Sequence, residues 1–293
     1  MKCELCPRMC GVNREDVVGF CRANNRVKIA RAALHAWEEP CISGEKGSGT
    51  VFFSGCTLKC VFCQNYALSH ENSGKEISVE RLAEIFLELQ GRGAHNINLV
   101  TPTHYVLQII EALKIAKKKG LSIPVVYNSS GYERVETIDL LKGYVNIYLP
   151  DFKYFSNELA KNYSGASQYF EIASAALKRM YQQVGKPEFD ENGMLKKGIV
   201  VRHLVLPGFT EDSKRVIRYL YETYGNNIYL SIMNQYTPLP HVAKYPEINR
   251  KVTEEEYNAV VDFACDLGVE NAFIQEGDTA EESFIPDFES FDF

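Results

Sequence analysis

The chain has 293 residues, 45% of them apolar and 24% charged, with a formal net charge of -6. That balance suits a globular protein of one large domain, alone or with a small appendage, and the acidic charge argues against a nucleic-acid partner. No apolar run is long enough to span a bilayer and Met1-Lys2-Cys3-Glu4-Leu5-Cys6 has no hydrophobic signal region, so a cytoplasmic protein with no membrane partner is expected, in which nine cysteines are metal ligands rather than disulfides.

In chain order, residues 1–45 come first, with five of the nine cysteines and little periodic pattern. Cys3, Cys6, Cys10 and Cys21 form C-x2-C-x3-C-x10-C, with Pro7, Gly11 and Gly19 supplying turns. Four thiolates in so short a stretch can close a tetrahedral zinc site or hold a second iron–sulfur cluster, and both remain open. Too few apolar residues surround them for the segment to fold without a metal. Cys41, after Pro40, reads as a loop or core thiol, and Cys265, on an apolar helical face, as core.

From residue 46 to 293 a second region alternates strands with helices. Strands are expected at 50–54, 97–100, 124–128, 145–150, 198–206, 228–233 and 272–275, and helices at 78–91, 104–119, 133–142, 168–184, 212–224 and 253–267. Ser78 and Thr253 stand where N-caps belong, and Lys117-Lys118-Lys119 reads as a solvated helix C-terminus that complements the macrodipole. Such alternation means parallel βαβ units with right-handed crossovers. Six or so units are too few to close an eight-stranded barrel, so an α/β fold with a partial (β/α)6 barrel is expected; a doubly wound sheet is the competitor. The tail from Glu281 to Phe293, rich in phenylalanine and acids, is expected to pack on the barrel, with gating of its mouth as the alternative.

The loop after the first strand of this region holds Cys56, Cys60 and Cys63 at C-x3-C-x2-C spacing, with no fourth cysteine nearby. Structural zinc sites close with four ligands, and the next histidine, His70, is too far along to complete this set. A cubane iron–sulfur cluster normally takes four thiolates. Three leave one iron open, and an open metal position is where a small molecule coordinates and reacts.

The other strand ends supply Thr101-Pro102-Thr103-His104, Asn128-Ser129-Ser130-Gly131, Asp151-Phe152-Lys153, Pro207-Gly208, Asn234-Gln235-Tyr236 and Gln275-Glu276. In parallel α/β folds that rim is where sites are built. Asp151 and Lys153 share a face by strand alternation.

With an aromatic residue, Phe62, before its last cysteine, the C-x3-C-x2-C run resembles the signature of the radical S-adenosylmethionine superfamily. Gln64-Asn65 and much of the chain resemble homologues of pyruvate formate-lyase activating enzyme that carry a cysteine-rich N-terminus. The resemblance implies a [4Fe-4S] cluster on Cys56, Cys60 and Cys63. Its open iron would chelate S-adenosylmethionine, which is split by an electron from a flavodoxin-like or ferredoxin-like donor into methionine and a hydrogen-abstracting 5′-deoxyadenosyl radical. The implied activity is that of an oxidoreductase whose target is a glycine on a glycyl-radical enzyme. A radical enzyme acting on a small molecule or peptide, and a non-catalytic metal scaffold, are the alternatives.

Carried over residue by residue, Asp151-Phe152-Lys153 looks like the family's D-x-K contact to the cofactor. Arg202-His203-Leu204-Val205-Leu206-Pro207-Gly208 looks like its R-x-x-x-x-P-G strand end, placing Arg202 and His203 near the ribose or carboxylate. Asn128 and Ser130 match a polar segment that touches the cofactor, and Phe62 would contact the adenine. The family's Gly-Gly-Glu, which holds the cofactor's amino group, is absent; the hydroxyls of Thr101 or Thr103, or freed backbone carbonyls, would accept from that ammonium instead. His35, Trp37 and the Glu38-Glu39 pair are expected at the junction of the two regions, with no chemistry assigned.

Overall fold

The computed structural model of the chain describes residues 2–275, so Glu276 and the tail from Glu281 to Phe293 lie outside the described residues. The elements run β1 (Val27–His35), α1 (Pro40–Ser43), β2 (Ser48–Phe53), α2 (Tyr66–Ser69), β3 (Lys75–Ile77), α3 (Val79–Gly91), β4 (Ile97–Val100), α4 (Val106–Lys118), β5 (Val125–Ser129) and α5 (Val135–Leu140). They continue with β6 (Ile147–Pro150), α6 (Asn157–Ser164), α7 (Tyr169–Val184), β7 (Glu188–Phe189), β8 (Leu195–Leu204), α8 (Thr210–Tyr224), β9 (Tyr229–Met233), α9 (Glu254–Leu267) and β10 (Ala272–Ile274).

One sheet takes the order β10-β9-β8-β6-β5-β4-β2-β1-β3, with β7 paired to β8 alone. From β2 to β10 every neighbouring pair is parallel, and β1 and β3 add antiparallel strands at one edge. Among the described residues β3 and β10 do not pair, so the barrel is open. β2, β4, β5, β6, β8 and β9 each lead into helix, which makes the partial (β/α)6 barrel.

Strand alternation sorts the core into two layers. Outward residues such as Val51, Leu99, Tyr127, Tyr148 and Val201 pack against the helices. Inward residues Val126, Ile147, Leu149 and Val200 meet Cys41 and Ile42 of α1, which plug the barrel interior. Cys41 is thus a core thiol, whereas Cys265 is exposed rather than buried: it lies on the outer face of α9, whose inner face presents Tyr257, Val260 and Ala264. The helices start where capping predicts. Ser78 accepts from the Arg81 amide, and Thr253 and Glu256 close a capping box. Among the described residues no helix is long and apolar enough to cross a membrane.

The first region is tied into the barrel. β1 lies within residues 1–45 and pairs along β2 with a bulge between Ile29 and Arg31. Upstream, Arg8 donates to the carbonyls of Thr57, Leu58 and Ser164 at 2.9, 3.1 and 2.9 Å, which fastens the cysteine-rich segment to the loop carrying Cys56 and Cys60. Gly55 (φ +88) lets the two approach, because a Cβ there would sit 2.4 Å from the Cys21 carbonyl oxygen.

Candidate active site

The strand ends and the 56–63 loop enclose one cavity of about 470 Å3, within the roughly 300–1,000 Å3 typical of small-ligand sites. Its lining includes Cys56, Cys60, Cys63, Phe62, Thr101, Asn128, Ser130, Asp151, Lys153 and Arg202. These come from five separate segments that the parallel topology brings to one rim.

The sulfurs carry aligned donors. The Leu58 and Lys59 amides donate to Cys56 Sγ at 3.3 and 3.5 Å, and the Ser164 hydroxyl donates to Cys60 Sγ at 3.0 Å. Such donors stabilise thiolate ligands and suit a cluster. Burial raises the Cys60 thiol to about 11 and, helped by its neighbours Cys56 and Cys60, the Cys63 thiol to about 12, so metal uptake must displace protons. Lys59 turns the loop at φ 57, and Thr101 turns the rim at φ 57. For a β-branched residue that is an outlier, of the sort that persists at functional sites.

Lys153 Nζ lies 2.7 Å from Asp151 Oδ2, both side chains mostly buried. Burial opposes the ammonium, but Asp151 and Cys60 outweigh it and hold Lys153 above the usual lysine range. Phe62 is wedged between Tyr154 and Tyr236. The residue that knits this rim is Tyr169 of α7. Its hydroxyl donates to the Ser130 carbonyl at 2.9 Å, has the Asp151 carbonyl at 3.2 Å, and accepts from the Lys153 amide at 2.9 Å. No motif announces it, since it acts on backbone groups distant in sequence.

Two expected residues lie elsewhere. His203 follows the inward Arg202 and therefore faces the helix layer, where its Nδ1 meets the Phe152 carbonyl at 2.7 Å. Burial lowers its pKa, favouring the neutral ring. Thr103 turns in to donate to Glu133 Oε1 at 2.7 Å. Burial raises the Glu133 carboxyl from 4.5 to about 7. Between those values the folded chain keeps a proton that the unfolded chain releases, so stability falls as pH rises through the window, by on the order of 3 kcal/mol at most. Glu133→Gln is expected to melt with the parent chain at pH 4 and above it at pH 8; identical melting profiles would refute this.

The N-terminal cysteines share one neighbourhood. A Cβ on Gly19 would sit 3.1 Å from Cys10 Sγ and 3.8 Å from Cys21 Sγ. Cys6 is raised to about 12 by burial first and then by Cys21 and Cys3 nearby. Among the described residues no three of His, Cys, Asp and Glu are already grouped as for a bound metal ion.

Comparison with known proteins agrees with this arrangement. Residues 50–220 match the Radical SAM superfamily. An uncharacterized protein of Methanocaldococcus jannaschii is 33% identical over 272 residues, covering 89% of this chain and 74% of that one. The pyruvate formate-lyase-activating enzyme of Clostridium pasteurianum is 28% identical over 181 residues, covering 58% of this chain and 66% of its own length. The structure of Streptococcus suis SuiB bound to S-adenosylmethionine superposes with a TM-score of 0.52 at 17% identity, over 76% of this chain and 49% of SuiB. The match thus spans slightly under two thirds of the activating enzyme and about half of SuiB. With its three-cysteine loop set over the open rim of a partial barrel, the chain belongs to the Radical SAM superfamily, whose chemistry runs on a [4Fe-4S] cluster and S-adenosylmethionine.

Proposed function

We propose that Cys56, Cys60 and Cys63 hold the cluster, that the cavity beside them binds S-adenosylmethionine, and that the protein is an oxidoreductase of the glycyl-radical-enzyme activating type. The observation that carries this reading is the single cavity lined at once by all three cysteines and by Asp151, Lys153, Asn128 and Ser130. When bound, the reduced cluster supplies the electron that splits S-adenosylmethionine into methionine and a 5′-deoxyadenosyl radical. The protein's own part is binding, orientation and exclusion of water. S-adenosylmethionine carries a carboxylate, an ammonium and a sulfonium. Lys153 and Asp151 offer one charge of each sign, Thr101, Asn128 and Ser130 offer hydrogen bonds, and Phe62 offers an apolar face. The 28% identity to an activating enzyme over 181 residues favours a glycyl-radical enzyme as target and a flavodoxin-like or ferredoxin-like donor as reductant.

The test is anaerobic. Cluster-loaded, reduced protein given S-adenosylmethionine is expected to release 5′-deoxyadenosine, and deuterium from a Cα-deuterated glycine in the target is expected in that product. A fully loaded protein that makes no 5′-deoxyadenosine refutes the radical chemistry. 5′-Deoxyadenosine that never takes deuterium from glycine refutes the activating role and favours a small-molecule or peptide substrate.

We also propose that Cys3, Cys6, Cys10 and Cys21 hold a second metal, zinc or a further cluster, within a metal-binding segment that ends near residue 45. Cys21→Ser is expected to lower the metal content of the purified chain while the Cys56–Cys60–Cys63 cluster stays reducible. Unchanged metal content would refute the second site.

A further inference from the structure

Charge is unevenly distributed along the chain. Residues 1–31 hold seven Lys and Arg against three Asp and Glu, a net of +4, while the other 262 residues carry -10. Four thiolates on a zinc ion or a second cluster would offset about two of those positive charges, and the contrast in sign would remain. The cations of this segment are mostly not paired with acids. Arg8 donates to the carbonyls of Thr57, Leu58, Ser164 and Gly165, Arg14 to those of His104 and Asn24, Arg22 to that of His70 and Lys28 to that of Asn72. Among the described residues none of these four, nor Lys59, stands in an ion pair, whereas Arg26 is paired with Glu76.

The same segment presents apolar surface. Nine large apolar side chains are exposed among the described residues, and four of them, Met9, Val17, Val18 and Phe20, fall between residues 9 and 20. The fold of the segment holds them together. Gly19 lies so close to Cys10 that a Cβ on it would sit 3.1 Å from the Cys10 sulfur, which brings Val18 and Phe20 beside Met9. The Arg8 guanidinium stands 4.2 Å and the Lys59 ammonium 4.8 Å from the centre of the Phe20 ring. Clustered exposed apolar side chains mark contact sites, and the cations at their edge select an anionic partner.

Lys59 joins this face to the cysteine loop. It stands between Cys56 and Cys60 but does not line the cavity, and no residue before His35 does. The loop therefore has the cavity on one side and the cationic apolar face on the other. On the proposed reading the cavity side is filled by S-adenosylmethionine and substrate. Electron transfer weakens steeply with distance, so a protein that reduces the cluster approaches the loop from its other side. We propose that Met9, Val17, Val18 and Phe20, with Arg8 and Lys59 at their edge, form the docking surface for the acidic electron-carrier protein that reduces the cluster. One electron leaves the carrier's reduced flavin or cluster and enters the cluster on Cys56, Cys60 and Cys63; no bond is made or broken. This rests on the reading of the cysteine loop as the cluster site and adds the face by which the electron enters. The acidic remainder of the chain repels such a carrier elsewhere and steers it here. An anionic membrane offers the same charge, and the position of the face against the cysteine loop favours the carrier.

Cluster-loaded protein is mixed anaerobically with flavodoxin hydroquinone, an acidic one-electron carrier, and bleaching of the cluster's visible absorption is timed. Binding of oxidised flavodoxin to the same protein is measured separately. Rate and affinity are both expected to fall as salt rises from about 0.05 to about 0.5 M. The double variant Val17→Asp, Val18→Asp sets two negative charges on the face, at side chains more than half exposed. Flavodoxin affinity and flavodoxin-driven reduction are each expected to drop at least about tenfold in it, while reduction by dithionite, which needs no docking, and the melting temperature stay unchanged. A flavodoxin rate that ignores salt, equal rates in parent and variant, or no flavodoxin reduction of a cluster that dithionite reduces would each overturn the surface. The salt series on the unaltered protein needs no variant to fold. Phosphatidylglycerol vesicles form the second arm: binding to them that the double variant abolishes, with flavodoxin reduction unaffected, overturns the proposal in favour of a membrane. A loaded protein in which dithionite finds no reducible cluster overturns the proposed function instead, and the binding of oxidised flavodoxin then decides the surface by itself.

Discussion

Cys60→Ala is expected to reduce 5′-deoxyadenosine formation to the level of the reaction without protein, and to lower bound iron and sulfide. Cys60 is the most enclosed of the three loop thiols by its surroundings. The Ser164 hydroxyl donates to its sulfur at 3.0 Å, its carbonyl accepts from the Cys63 amide at 3.2 Å, and the next residue's amide is fixed to the Tyr163 carbonyl at 2.8 Å. An alanine there removes the proposed ligand. The comparison that gives the result meaning is graded. Ser164→Ala removes only the donor to the sulfur, and supporting groups of that kind typically contribute about 10–100-fold. Cys265→Ala, on the exposed face of α9, is expected to change nothing. A Cys60→Ala protein that still cleaves S-adenosylmethionine would overturn the assignment of the loop.

Gly131→Ala is expected to be among the most damaging substitutions of a residue that carries no functional group. Gly131 sits at φ +73, and a Cβ on it would fall 2.1 Å from the Asp151 carbonyl oxygen and 3.2 Å from the Tyr169 hydroxyl. Those are the atoms that fix the Ser130, Asp151 and Lys153 backbone. The side chain cannot fit without moving the rim, and strain joins overlap, so a loss of more than about 4 kcal/mol is expected. For a chain of this size that is a fall in melting temperature on the order of 10 °C. Gly193 separates the two causes. It has nearly the same φ, +74, with nothing within 4 Å of its Cβ position, so Gly193→Ala carries the backbone strain alone, about 1–2 kcal/mol. Equal losses at the two glycines would show that the close approach to Asp151 is not what Gly131 serves.

The six βα units were legible because each helix has one apolar stripe and each inner strand is a short apolar run. Those patterns survive in a sequence read alone. Even the caps at Ser78 and Thr253 could be placed by residue type. β1 was not legible. Its Ala-rich run, VKIARAALH, is interrupted by Arg31 and by a bulge, so no strict alternation marks it, and it follows a segment that reads as a metal knuckle. α6 was missed because eight residues with little apolar content (NELAKNYS) give too short a pattern.

At the site, the sequence by itself determined the three-cysteine loop and the Asp151–Lys153 pair, because ligand spacing and strand alternation act within a few residues. It could not choose between Arg202 and His203, since adjacent residues on a strand face opposite sides and only packing decides which side is the cavity. It could not find Tyr169 or Glu38 as parts of the site. Tyr169 lies 39 residues from Ser130, whose carbonyl it holds, and Glu38, which lines the cavity, is paired with the sequence-distant Arg202. Such contacts exist only after the parallel sheet has curled and α1 has entered its interior, and local patterns carry no record of that closure.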